Sequence, residues 1–162
     1  MKVIKAGPND LDAIMQIYDH ARAFMAQTGN PTQWGDGYPR RQLLEADIAQ
    51  GNCYVCVDDD GIQGVFVLIF WEEPAYADIQ DGAWKNDAPY AAVHRLAGSG
   101  AVKGVAKACF DFCKGQIANL RADTHADNKI MQHLFEANGF ERCGIIHVED
   151  GSPRIAYQFV QS

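Results

Sequence analysis

The sequence has no long apolar run. Its longest, Val65 to Trp71, spans seven residues, whereas a membrane-crossing helix needs about 20. No membrane partner is expected. The first residues, Met1-Lys2-Val3-Ile4-Lys5, lack the apolar segment of a secretion signal, so a cytoplasmic location is expected. Basic residues are also scarce: 14 Lys and Arg stand against 21 Asp and Glu, for a net charge of −7 over 162 residues. Nucleic-acid binding usually needs a basic face, so none is expected. An acidic surface is friendlier to cationic small molecules than to anionic ones. Repeats, low-complexity tracts and linkers are absent as well. The expectation is a single domain over residues 1–162, long enough to bury roughly 70% of the unfolded chain's surface.

Cysteine is present but not organised as a metal or disulfide framework. There are five, at 53, 56, 109, 113 and 143, an odd number that suits free thiols in a reducing compartment. Cys53-Tyr54-Val55-Cys56 reads as a strand, where residues three apart point to opposite faces. Cys109 and Cys113 share a helical face, but two thiols alone make a poor metal site. Cys53, Cys56, Cys109 and Cys113 are expected to be buried, and no metal is expected. Asp58-Asp59-Asp60-Gly61 signals a hairpin turn; the later ligands of a calcium loop are missing.

What the chain does have is clean periodicity. Val3–Ala6 reads as a strand. Leu11, Ile14, Met15, Tyr18, Ala21 and Met25 recur at helical spacing after Asn9-Asp10, and Gly29 ends that helix. A turn-rich loop carries Trp34, Asp36 and Tyr38, and a second helix covers about 40–50. Strands follow at 53–57 and 64–71, then an irregular stretch, 72–90, of the length that is usually functional or poorly ordered. Strand 91–97, helix 101–114, strand 117–124, helix 128–138 and strands 141–148 and 154–160 complete the order β-α-α-β-β-β-α-β-α-β-β. This is an α/β (α+β) pattern. It predicts one twisted mixed sheet of about six to seven strands with helices on both faces. An exposed last strand could pair with a second copy in a homodimer.

The strand–glycine turn–helix at 93–107 is the segment most suggestive of chemistry. A helix start offers unpaired N–H groups and the positive end of a dipole to a phosphate. Gly98, Gly100 and Gly104 allow close approach of a ligand, and Lys103, Lys107 and Lys114 are expected on one helix face. No P-loop spacing is present.

Residues 91–140 resemble the cofactor-binding half of the GNAT N-acetyltransferase superfamily. The resemblance rests on Val93-His94-Arg95-Leu96-Ala97, on Lys103-Gly104-Val105-Ala106, on Asn128, and on Phe135-Glu136-Ala137-Asn138-Gly139-Phe140. The family's Arg/Gln-x-x-Gly-x-Gly/Ala motif reads here Ala101-Val102-Lys103-Gly104-Val105-Ala106, with its last two anchors in place. The element order extends the resemblance to the whole chain, and the segments 123–128 and 143–151 resemble a bacterial subgroup.

The resemblance implies acetyl-CoA as co-substrate and a small-molecule amine as acceptor. It implies that the backbone of Leu96 and Gly98 meets the pantetheine arm. The amides of Val102, Lys103, Gly104, Val105 and Ala106 would then hold the pyrophosphate, and Lys103 or Lys107 the ribose phosphate. Asn128 would contact the cofactor arm or cap its helix. Family members often carry a tyrosine as leaving-group acid where this chain has Phe135. His94, His125 and Tyr157 are the substitute acid–base candidates. Asp123, His125 and Asp127 alternate and would share a face if the strand ran that far. Trp34, Asp36, Tyr38 and Tyr90 are candidate acceptor contacts, since aromatics with a carboxylate suit a cationic amine. Two alternatives stay open: a non-catalytic acyl-CoA-binding module on the same fold, and a metal enzyme built on His94, His125 and Asp123.

Overall fold

A computed structural model describes residues 1–162. Seven strands and four α-helices follow in the expected order: β1 Lys2–Lys5, α1 Leu11–Gln27, α2 Arg41–Ala49, β2 Cys53–Asp58, β3 Gly61–Phe70, β4 Ala91–Gly98, α3 Val105–Lys114, β5 Asn119–Thr124, α4 Lys129–Ala137, β6 Glu141–His147 and β7 Pro153–Val160. The strands form one sheet in the order β1-β2-β3-β4-β5-β7-β6. The chain divides into two compact units, Met1–Leu68 with His94–Phe112, and Ile69–Val93 with Cys113–Ser162. No helix is long and apolar enough to cross a membrane.

In the first unit, strand alternation sorts the core into two layers. Cys53, Val55 and Val65 point one way and pack with Leu11, Ile14, Ile17 and Tyr18 of α1 and Leu44 of α2. Tyr54 and Phe66, cross-strand partners, point the other way and meet Phe112 of α3. Helices therefore cover both faces there. α1 stops where Gly29 takes φ +88°, which only glycine adopts cheaply. The Asn30 amide then donates back to the Met25 carbonyl.

The second unit repeats the alternation. Tyr157 of β7 stacks on Phe135 of α4 with ring centroids 4.9 Å apart. Its neighbour Ala156 faces the opposite side and packs with Ile146, Tyr76, Tyr90 and Ala92. That side is covered by the 72–90 segment, which is well anchored. The Trp84 indole donates to the Tyr76 carbonyl at 2.9 Å, the Lys85 amide donates to Gln158 Oε1 at 2.8 Å, and Gln80 and Ile145 exchange two backbone bonds of 2.8 Å.

Two expectations need correction. β7 is not an exposed edge: it lies between β5 and β6. The edges are β1 and β6. α3 begins at Val105, four residues later than expected, and Lys103 therefore sits in the preceding loop. The five cysteines are all free, as expected, and Cys143 is buried along with the other four.

Candidate functional site

The loop from Ser99 to Gly104 is pinned at its base and open at its tip. The Ser99 amide donates to the Gln63 carbonyl at 2.8 Å, and its hydroxyl bonds Gln63 Oε1 at 2.7 Å. Gln63 is buried on β3 and donates in turn to Asp58. Gly64 lets the start of α3 settle onto β3, because a Cβ there would lie 2.4 Å from Val105 Cγ1. Gly100, at φ +80°, passes against α1, where a Cβ would lie 2.4 Å from His20 Nε2. Gly104 differs from both. Its φ is +91° and nothing lies within 4 Å of the position a Cβ would take.

The first bond of α3 runs from the Ala108 amide to the Gly104 carbonyl. The amides of the turn before it lack intrahelical acceptors, as at every helix start. The positive end of the helix is thus held firmly by buried groups and faces open space at Gly104. Of the three lysines expected on one face, Lys107 pairs with Asp111, and Lys114 donates to the Asn138 carbonyl and lies 4.4 Å from the Phe159 ring. Lys103 is exposed beside Gly104.

β4 carries an irregularity that the sequence did not announce. Arg95 has φ +52°, a conformation costing a non-glycine residue about 1–3 kcal/mol. Several contacts hold it. The Tyr18 hydroxyl donates to the Arg95 carbonyl at 2.7 Å. The guanidinium donates to both oxygens of Asp47 at 2.9 Å and to the Tyr38 hydroxyl at 3.1 Å. Burial raises the Asp47 carboxyl above its ordinary value even with Arg95 beside it. Trp34 packs edge-on against Tyr18, with centroids 5.6 Å apart, and lies 6.2 Å from Tyr38. Trp34 and Tyr38 of the α1–α2 loop are thus tied to β4 next to Leu96 and His94, while Asp36 stays exposed. Tyr18, Asp47 and Arg95 were missed; the signal was a lone acidic residue on the apolar face of the second helix.

In the second unit, the expected acidic–histidine row forms only in part: His125 Nδ1 lies 3.5 Å from Asp127 Oδ2. β5 ends at Thr124, so the alternation stops before His125. Asp123 accepts instead from the Tyr76 hydroxyl at 2.7 Å. His125 Nδ1 accepts from the Asp127 amide at 3.0 Å. No group of His, Cys, Asp and Glu could hold a metal. Asn128 caps α4 through its side-chain oxygen, which accepts from the Met131 amide at 3.0 Å. Tyr157 is 2% exposed, and burial keeps its phenol protonated beyond its ordinary range.

β4 and β5 pair only at Ala91↔Leu120 and Ala92↔Arg121. Arg121 is 6% exposed and holds its guanidinium 4.2 Å from the ring centres of both Trp84 and Tyr90. One nitrogen donates to the Asn86 carbonyl at 2.9 Å. Burying a cation costs several kcal/mol, of which each ring contact recovers about 1–2 kcal/mol. Tyr90 is buried, accepts the Glu73 amide through its hydroxyl at 2.8 Å, and packs at a tilt against Trp71 with ring centroids 5.0 Å apart.

The fold is that of an acyltransferase: a seven-stranded mixed sheet, a short β4–β5 ladder and a glycine-rich loop feeding a helix start. A GNAT acetyltransferase of Streptococcus agalactiae is 32% identical, superposes with a TM-score of 0.91, and is matched over 99% of this chain and 95% of its own. The chain belongs to the GNAT family of acetyltransferases. A Bacillus cereus member shows the same fold at 23% identity and a TM-score of 0.64, over 99% and 97% of the two chains. So does yncA of Salmonella typhimurium, solved with its cofactor acetyl-CoA, at 16% identity and 0.63, over 99% and 94%. No family model and no curated protein matches the sequence.

Proposed function

We propose that the chain, as one catalytic domain, moves an acetyl group from acetyl-CoA to the primary amine of a small molecule. The observation that carries this reading is the start of α3. Anchored glycines place unpaired amides and a positive helix end beside Gly104, with no protein atom in front of it. The backbone of Leu96 and Gly98 holds the pantetheine arm. The amides from Val102 to Ala106 hold the pyrophosphate. Lys103, free of the acidic neighbour that engages Lys107, meets the ribose phosphate. Asn128, whose side-chain oxygen caps α4, is assigned to the cofactor arm.

Acetyl-CoA supplies an activated acyl group. The amine lone pair attacks the thioester carbonyl carbon, a C–N bond forms, and the C–S bond breaks. One proton leaves the nitrogen and one reaches the departing sulfur. Tyr157 is our choice for the second proton. Its ring lies against Phe135, the position where the family often carries its tyrosine, so a phenol is restored one side chain away. His94, on β4 beside the Arg95 irregularity, is the choice for the base. His125 is the weaker choice, because its Nδ1 is already engaged by the Asp127 amide. We assign Trp34, Asp36, Tyr38 and Tyr90 to acceptor recognition.

The test is thermal denaturation with and without acetyl-CoA, followed by thiol release on adding amines. Stabilisation with amine-dependent thiol release supports the enzyme. Stabilisation with no release on any amine supports a binding module. No stabilisation at millimolar acetyl-CoA refutes both.

A further inference from the structure

The 72–90 segment, Trp71 and Arg121 enclose a cavity of about 250 Å³. Ordinary ligand pockets run roughly 300–1,000 Å³, so this one suits a small molecule. Its walls are aromatic, with Trp71, Tyr90, Tyr76 and Trp84 in one series of tilted ring contacts. Arg121 lies in the wall between the Trp84 and Tyr90 rings. A cage of this composition would ordinarily receive a cation, but here the protein supplies its own.

That cation has no carboxylate at ion-pair distance; Asp87 acts on it only through space. Arg121 makes no ion pair, donates only to the Asn86 carbonyl, and its buried Nε meets no protein acceptor. Buried guanidinium groups are normally matched by a carboxylate or phosphate in fork geometry. Glu72, Glu73 and Asp87 line the same cavity; Glu73 accepts from the Ala75 amide, while Glu72 and Asp87 lie on its exposed side. One wall thus offers an unmatched positive charge and the rim offers negative ones.

We propose that this cavity binds a carboxylate-bearing amine, an amino acid or close analogue, with its carboxylate on Arg121 and its ammonium toward Glu72 and Asp87. Resting on the acetyltransferase reading, this compound is the acyl acceptor. The aromatic walls take its side chain.

The experiment titrates the full chain, without acetyl-CoA, with standard amino acids and with the decarboxylated amine of each. Tryptophan fluorescence reports binding, since Trp71 and Trp84 line the cavity. The expected result is saturable binding of at least one amino acid, roughly tenfold or more tighter than its decarboxylated partner, the scale of a charge-assisted fork. Arg121→Met is expected to abolish that preference while keeping or raising the melting temperature, because it removes an unmatched buried charge. A purely structural Arg121 would instead lower the melting temperature and leave the preference intact, and that result overturns the proposal. So does equal binding of both partners, or no saturable signal from any amino acid; both are read on the unmodified chain, whatever the variant does. Because acetyl-CoA is left out, a chain that fails to bind it and a chain indifferent to carboxylates give different results. In a final arm, thiol release must show the same preference; turnover of the decarboxylated amines alone overturns the acceptor assignment.

Discussion

Gly104→Asp separates a phosphate-binding helix start from a merely structural loop. The position has φ +91° and empty space around a would-be Cβ. A non-glycine residue there costs about 1–2 kcal/mol in backbone strain. An acidic group at a helix start returns about 0.3–1 kcal/mol. The unliganded variant should therefore lose at most about 2 kcal/mol. At a hundredfold excess over its dissociation constant, acetyl-CoA should stabilise the unmodified protein by about 2.7 kcal/mol. For a chain of this size that is roughly 5–11 °C. In the variant a carboxylate would stand where the pyrophosphate goes, and the ligand-induced shift should vanish. Differential scanning fluorimetry on both proteins, each with and without acetyl-CoA, measures all four values. An undiminished shift in Gly104→Asp would refute the placement of the cofactor at this helix.

Three further outcomes follow from the geometry. Asp47→Asn strands the buried Arg95 charge and should cost about 3–5 kcal/mol in denaturant unfolding, whereas Tyr18→Phe, losing one hydrogen bond to the Arg95 carbonyl, should cost only about 1 kcal/mol; a reversed order would contradict the role given to the ion pair. Tyr157→Phe keeps the stack on Phe135, so it should lower kcat by roughly a hundredfold with little change in KM or melting temperature; unchanged kcat would remove Tyr157 from the chemistry. Burial pushes the Cys53 thiol up to about 12 and raises Cys143, and all five thiols are buried. A thiol reagent at pH 8 should therefore find almost none in the native chain and all five after denaturation, so that thiol release reports CoA rather than protein.

The order of elements could be read from the sequence because each carries its own period. α1 shows this well, with apolar residues on one face and Gly29 as its stop. The start of α3 could not, because Ala101, Val102 and Lys103 suit a helix as well as a loop. Only the positive φ of Gly104, which composition does not reveal, moves the boundary. The position of β7 was hidden for another reason. A hairpin signal at Asp150-Gly151 says that two strands pair, not which of them then inserts beside β5. The glycine loop of the candidate site was visible because its chemistry is local. The Arg95–Asp47 pair and the aromatic sandwich on Arg121 join residues distant in the chain, so no spacing announces them.

The sheet ends on β1 and β6, and neither invites a newcomer. β1 has four residues and a lysine at each end, and desolvating those ammonium groups opposes pairing with another strand. β6 is already occupied at Ile145 by the backbone of Gln80. Both flanks are thus guarded against adding a strand from another molecule, the usual route by which open sheets clump. A crowded solution of this chain should resist fibrous association.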